Sequence, residues 1–323
     1  MRIGLTYDLQ TNPSDERQAE FDPPATIQAL AASLAALGHD VILLGNARAL
    51  LKEPQRLAQV ELVFNIAEGD AGRCREAWAP MLLELHGAPY VGSDPLALMM
   101  GLDKVMSKQI AVAAGLLTPR WISVAHPAAL PSPCPLAFPV IVKPRWEGSG
   151  RGIDAGAVVR TPAALAARAA WLFARCPQPI LAEEFIDGGE LTVCMIGNHP
   201  PTAYPVIQRP IDAATHLSCH VIRPAPSRWE TPVSLTAALD EHARRIALEM
   251  FNALGCRDMA RVDLRVDALG QLYFLEINPL PSFDPEGTIG LLAECLQTTY
   301  TELVGRILDA ARARIAATEL AVR

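Results

Sequence analysis

The sequence predicts an α/β protein of more than one domain, on three observations. Residues 1–94 alternate short apolar strands with helices, the pattern of a parallel sheet covered by helices. At 323 residues the chain exceeds one compact core. Two strands near the C-terminus, 260–266 and 272–278, flank an Asp/Gly turn and so predict a hairpin. Composition agrees with a globular protein: 50% of residues are hydrophobic and 20% charged. The net charge of −7, with scattered basic residues, gives no footprint for nucleic acid.

The elements follow in order. Arg2–Tyr7 is a short apolar strand and reads as structure rather than as a signal peptide. A polar loop runs from Asp8 to Pro24. Thr26–Leu37 is a helix stopped by Gly38. His39–Leu44 and Glu61–Asn65 are buried strands; helix Glu76–His86 and strand Tyr90-Val91 complete the unit. One helix is expected over Ser93–Gly115. A proline-rich stretch, 127–139, precedes strand Val140–Lys143, a Gly-rich loop, helix Pro162–Cys176 and strand Ile180–Ile186. Further strands are expected at 190–196 and 203–208, and helices at 235–254 and 290–316. The expected domains are 1–94, 95–187 and 188–323. Seven dispersed cysteines without a CxxC pair read as reduced thiols, which points to the cytoplasm. No apolar run approaches the length of a membrane span.

Three segments carry the chemistry. A tight turn in the C-terminal hairpin sets Asp263 opposite Glu276 and Arg261 opposite Asn278. These four then share one face, with Val262, Leu264, Val266, Tyr273, Leu275 and Ile277 on the other. Two opposed carboxylates repel unless a cation lies between them. Oxygen donors of this kind suit magnesium, and the fork of Arg261 suits a carboxylate or phosphate. The plainer alternative is a solvated hairpin with Arg261 paired to Asp263.

The second segment is Val140–Lys143 and the loop Pro144–Ile153. A buried strand delivers Lys143, and the backbone N–H groups of the Gly-rich loop can wrap phosphate. It is neither a Walker loop nor a dinucleotide fingerprint. In the third, Leu181–Glu190, a strand ends in acidic residues at a Gly188-Gly189 turn. That turn suits an adenine and ribose, or simply a surface.

Together these segments resemble the ATP-grasp superfamily and, within it, the D-alanine–D-alanine ligase family. The resemblance runs in order through Tyr90-Val91-Gly92-Ser93, Leu102-Asp103-Lys104, Val140–Pro144, Glu147-Gly148-Ser149, Glu183–Glu190, Arg261-x-Asp263 and Glu276-x-Asn278-x-x-Pro281. It implies a three-domain ATP-grasp fold: an N-terminal parallel-sheet domain, then central and C-terminal α+β domains clamping ATP. The implied activity joins a carboxylate to an amine through an acyl phosphate.

The implied residue roles are specific. Lys104 and Lys143 hold phosphates. The loop with Glu147, Gly148, Ser149 and Gly150 closes over them. Glu183, Glu184, Phe185 and Ile186 line the adenine, and Glu190 binds ribose. Asp263, Glu276 and Asn278 carry two magnesium ions, or manganese in their place. Arg261 stabilises the acyl phosphate. Glu20, rather than Glu16, takes the first substrate's amino group. The implied partners are small amino-acid substrates, with neither nucleic acid nor membrane, and many relatives are homodimers.

Some positions depart from the family. Phe64-Asn65-Ile66-Ala67-Glu68-Gly69 stands where many members have a His-Gly pair. Pro281–Thr288 replaces a Gly-Met-Thr turn, and its Asp284 and Glu286 would repel a carboxylate and could greet an amine. The Lys-Tyr pair of the flexible loop has no match in Thr215–His220, where His216 or His220 is the candidate. Other readings are an ATP-grasp ligase joining other substrate pairs, a nucleotide-binding regulator without catalysis, and a dinucleotide oxidoreductase. The last lacks the glycine fingerprint.

Overall fold

The computed structural model describes residues 1–218 and 229–322. The chain opens with β1 (Arg2–Tyr7), α1 (Pro24–Ala36), β2 (Asp40–Gly45), α2 (Ala47–Lys52), β3 (Leu62–Ile66), α3 (Trp78–Leu85) and β4 (Tyr90–Val91). The four strands form a parallel sheet ordered β2-β1-β3-β4. β3 is buried along its whole length, as a strand covered on both faces must be. α2 was not foreseen; Asn46 caps it by accepting from the Ala49 N–H.

The single helix expected over Ser93–Gly115 is two: α4 (Pro95–Leu102) and α5 (Lys104–Ala113). Asp103 breaks the run. Its backbone is extended, and its carboxylate accepts from the N–H groups of Val105 and Met106 as the cap of α5. Arg145 grips the same carboxylate at 2.6 and 2.8 Å, and the Trp146 indole N–H reaches it at 3.2 Å.

A second, antiparallel sheet follows. It contains β5 (Trp121–Val124), β6 (Val140–Pro144), β7 (Val158–Val159) and β8 (Ile180–Glu184), in the order β5-β8-β6-β7, with α6 (Pro162–Arg175) packed against it. β8 stops at Glu184, short of the expected Ile186.

The third sheet holds β9 (Glu190–Ile196), β10 (Thr202–Ala203) and β11 (Ile207–Arg209). A small ribbon, β12 (Ile211–Asp212) with β13 (Trp229–Glu230), and helix α7 (Ala237–Leu254) lead to the hairpin β14 (Met259–Val266) and β15 (Leu272–Asn278). The order is β10-β9-β14-β15, with β11 also on β9. The expected helix 290–316 is broken into α8 (Thr288–Cys295) and α9 (Tyr300–Val322). α9 does not stay with the third sheet alone. Its Leu303, Val304, Ile307 and Leu308 share a core with Ile3 and Leu5 of β1, Phe64 of β3 and Leu30 of α1. Phe283 meets Phe64 edge-on at 5.2 Å in the same core.

The six described cysteines are free, and Cys219 and His220 lie outside the described residues. Among the described residues, no helix is long and apolar enough to cross a membrane.

Candidate active site

The hairpin pairs Arg261 with Asn278 and Asp263 with Glu276, the expected register. It then shifts by one residue between Asp263 and Leu264. The apolar face named from the sequence is therefore corrected. Leu264 faces Phe274 and Val266 faces Leu272, both partners buried, while Tyr273 and Leu275 are only half buried. The bulge adds one residue to β15, so strict alternation fails there. Leu275 is turned to the cleft by it. On β14 the alternation persists, and Arg265 borders the cleft with Asp263, while Arg261 and Asn278, the next pair on that face, are not among its lining residues.

An open cleft lies between the second and third sheets. Lys104, Lys143, Glu147, Gly148, Ser149, Gly150, Glu183–Ile186, Glu190, Asp263 and Glu276 all border it. Lys104 leaves the first turn of α5 and donates to the Glu147 carbonyl at 2.7 Å, and its ammonium lies 3.1 Å from Glu276. Burial alone would raise the Glu276 carboxyl. Lys104, Lys143 and Arg261 outweigh that and hold it down at about 2.

Glu183 is 2% exposed and lies between two lysines, 2.5 Å from Lys143 and 2.8 Å from Lys108. Burial opposes its charge, but the two ammoniums keep its carboxyl below the ordinary value. Lys108, fully buried, is itself brought down to about 8 because desolvation exceeds the attraction of Glu183. The reading from sequence omitted Lys108. Its signal was the spacing of four from Lys104, which puts both on one helix face.

The end expected to take adenine differs from expectation in detail. The Glu184 carboxylate turns to the Ala137 N–H at 2.8 Å and to Arg120 at 3.4 Å. Arg265 stacks 4.7 Å over the Phe185 ring and lies 3.6 Å from Glu190. Burial pushes the Glu190 carboxyl up more than Arg265 pulls it down.

At the reacting end, Arg261 grips the Asp263 carboxylate at 2.9 and 3.0 Å, and Thr192 donates to it at 2.7 Å. Arg209, 2% exposed on β11, donates to Thr192 at 3.2 Å and to Thr288 at 2.5 Å. Nothing in the sequence singled out Arg209. The Asn278 side-chain oxygen accepts from the Leu280 N–H at 2.8 Å and keeps a second lone pair.

Asp263, Glu276 and Asn278 offer oxygen donors only, with Glu276 held ionised, which fits a hard cation. Among the described residues, no three His, Cys, Asp or Glu side chains converge on a metal-sized point.

The Gly-rich loop is tied to the first sheet's side of the molecule. Glu20 accepts from the Gly148 N–H at 2.6 Å and pairs with Arg75 at 2.6 Å; Arg75 also donates to the Trp146 carbonyl at 2.7 Å. Ser149 takes a positive φ of 48° between glycines. Glu16 is exposed and paired with Arg175, away from the cleft. His216 pairs with Asp187. The Asp284 carboxylate accepts from the Glu286 N–H at 3.0 Å within their own turn.

Comparison with known proteins follows this geometry. The family model described as D-ala D-ala ligase C-terminus matches residues 114–309. A D-alanine–D-alanine ligase of Xanthomonas axonopodis is 33% identical over 260 residues, 78% of this chain and 78% of that one. An uncharacterized protein, y4sG, of Sinorhizobium fredii is 33% identical over 295 residues, 88% of this chain and 86% of its own. Among solved structures, the ATP complex of D-alanine–D-alanine ligase from Bacillus anthracis superposes with a TM-score of 0.75 at 24% identity, over 98% of this chain and 99% of that one. VanG D-Ala:D-Ser ligase from Enterococcus faecalis gives 0.76 at 18% identity, over 96% and 99%. In sequence and in its ATP-grasp fold, this chain belongs to the D-alanine–D-alanine ligase family.

Proposed function

We propose that this chain is an ATP-dependent ligase that joins an amino-acid carboxylate to an amine, in the manner of D-alanine–D-alanine ligases. The observation that carries this is the convergence of Lys104, Lys143, Glu276 and Asp263 on one cleft that the Gly-rich loop also lines, with Arg261 held against Asp263. A carboxylate is a poor electrophile because negative charge shields its carbon. Its oxygen attacks the γ-phosphorus of ATP, ADP leaves, and an acyl phosphate forms. The amine nitrogen then bonds to the carbonyl carbon, phosphate departs, and the nitrogen loses a proton.

In this reading Lys104 and Lys143 offset charge on the transferring phosphate; Asp263, Glu276 and Asn278 would hold magnesium, which would supply further neutralisation there. Arg261 moves from Asp263 to the acyl phosphate and the tetrahedral species. Ser149 and the N–H groups of Gly148 and Gly150 close over the phosphates and exclude water, which would hydrolyse the activated acid. Glu183 keeps Lys143 charged and placed. Phe185 and Ile186 flank adenine, Glu190 takes the ribose, and Glu20 takes the ammonium of the first amino acid.

ADP release with ATP and magnesium, using D-alanine against a panel of D- and L-amino acids, tests the reading. Release with D-alanine and formation of a dipeptide is the expected result. Tight ATP binding without turnover of any amino acid would make the chain a nucleotide-binding regulator instead.

A further inference from the structure

The phosphate chemistry above uses Lys143 and leaves Lys108 without a task. Lys108 lies one turn beyond Lys104 on α5, is 0% exposed and is not among the residues that line the cleft. Its ammonium is 2.8 Å from Glu183, and Glu183 is at the same time 2.5 Å from Lys143. Glu183 and Lys143 both line the cleft. Lys108 also donates to the Thr118 hydroxyl at 2.8 Å, and that hydroxyl donates in turn to the Phe274 carbonyl of β15 at 2.8 Å. With its hydrogen so engaged, the hydroxyl turns a lone pair to Lys108 and pins the ammonium between β15 and β8.

The neighbouring charges are matched one to one. Lys104 is paired with Glu276 at 3.1 Å, and Arg261 with Asp263 at 2.9 Å. Lys143 with Glu183 alone would make a third neutral pair. Glu183 instead divides one negative charge between two ammoniums, so one unit of positive charge is left over. Lys108 is sealed from solvent, and of the two cations it is Lys143 that borders the cleft. An anion in the cleft therefore meets the surplus at Lys143. Burying a second lysine behind the first is costly, and stability alone would be served by a single pair or by apolar side chains.

We propose that Lys108 is a positioning residue for the nucleotide: it takes up part of the Glu183 charge and so leaves Lys143 net positive toward the phosphates. This rests on the ATP-binding half of the ligase reading given above.

The test uses the full chain with magnesium at pH 7, where Lys108, brought down to about 8 by burial, still holds its proton. Displacement of a fluorescent ATP analogue gives the dissociation constants of ATP and of adenosine. Their ratio is taken within one variant, so a general loss of folded protein, or a changed adenine contact, cancels. Lys108→Met should lower the preference for ATP over adenosine about tenfold, the scale of one charge acting over a few ångströms in a partly screened site. Lys108→Met combined with Glu183→Gln removes one charge of each sign. It should restore the preference, because Glu276 and Glu190 still favour the charged form of Lys143. ATP and adenosine weakened alike by Lys108→Met would make Lys108 a structural residue and overturn the proposal. So would a double variant no better than the single one. Should Lys108→Met not fold, the double variant is read against the unaltered chain, and a ratio about tenfold lower overturns the proposal. Displacement by neither ligand in the unaltered chain would overturn the nucleotide reading and the proposal with it. The expected ratios without ADP release from any amino acid would sink the ligase reading and leave the role of Lys108 standing.

Discussion

Glu183 and Glu76 are both buried carboxyls, and their surroundings set them apart. Glu183 has an ammonium against each oxygen and stays ionised. Glu76 has no such partner among the described residues, and the charges of Arg75, Glu20, Lys104, Glu276 and Glu68 all act on it. Its folded value is raised from 4.5 to about 8, so the folded state binds the extra proton between those values. Stability is therefore lost as pH rises through that window. Glu76→Gln should change stability little at pH 5. At pH 9 it should stabilise the substrate-free protein by on the order of 3 kcal/mol. Urea unfolding at the two pH values checks this, and an equal effect at both would refute it.

Elements place these side chains through a few local decisions. Asp103 divides α4 from α5 and so starts a helix at Lys104, which brings Lys104 and Lys108 to the cleft from one face. The bulge in β15 turns Leu275 to the cleft while leaving Asp263 opposite Glu276. The turn between β8 and β9 lies hard against β14: a Cβ at Gly188 would sit 1.8 Å from the Val266 carbonyl oxygen. Arg265 also donates to the Gly188 carbonyl at 2.9 Å. Gly188→Ala should cost about 2 kcal/mol or more, as overpacking against backbone does. It should also raise the KM for ATP by displacing Arg265 from Phe185. A urea midpoint equal to that of the parent chain would show that the turn gives way freely. The twin helices of residues 95–113 escaped the sequence because both halves are apolar enough to read as one. An N-cap in mid-run shows itself only when the chain bends.

At the scale of the whole molecule, the links that hold the first sheet against the rest include two of different kinds. One is the core shared by β1, β3, α1 and α9. The other is polar: Arg75 and Glu20, carried by the first 94 residues, hold the Trp146 carbonyl and the Gly148 N–H of the Gly-rich loop. The Glu20–Arg75 pair and the Gly-rich loop are thus mechanically joined. Arg75→Lys keeps the charge but cannot make both contacts at once. In that variant, amide hydrogen exchange in the segment 147–153 should quicken about tenfold or more, while the core of the third sheet keeps its protection. Unaltered exchange in the loop would mean that the link does not restrain it.

What the sequence determined by itself was local or periodic. The hairpin was legible enough to pair Asp263 with Glu276 and Arg261 with Asn278, although the chain reaches that pairing through a bulge at Leu275, and the order of short motifs carried the family. Strand β9 was legible to the residue, because charge and glycine punctuate it at both ends. Tertiary structure alone decided which distant charges meet. Glu183 finds Lys108 and Lys143, Arg265 covers Phe185, Arg209 reaches Thr288, and Glu20 reaches Gly148 across 128 residues of chain. Such meetings depend on how sheets and helices pack. No period along the chain encodes that, so the balance of charge at Glu68 and Glu76 appears only once the chain has folded.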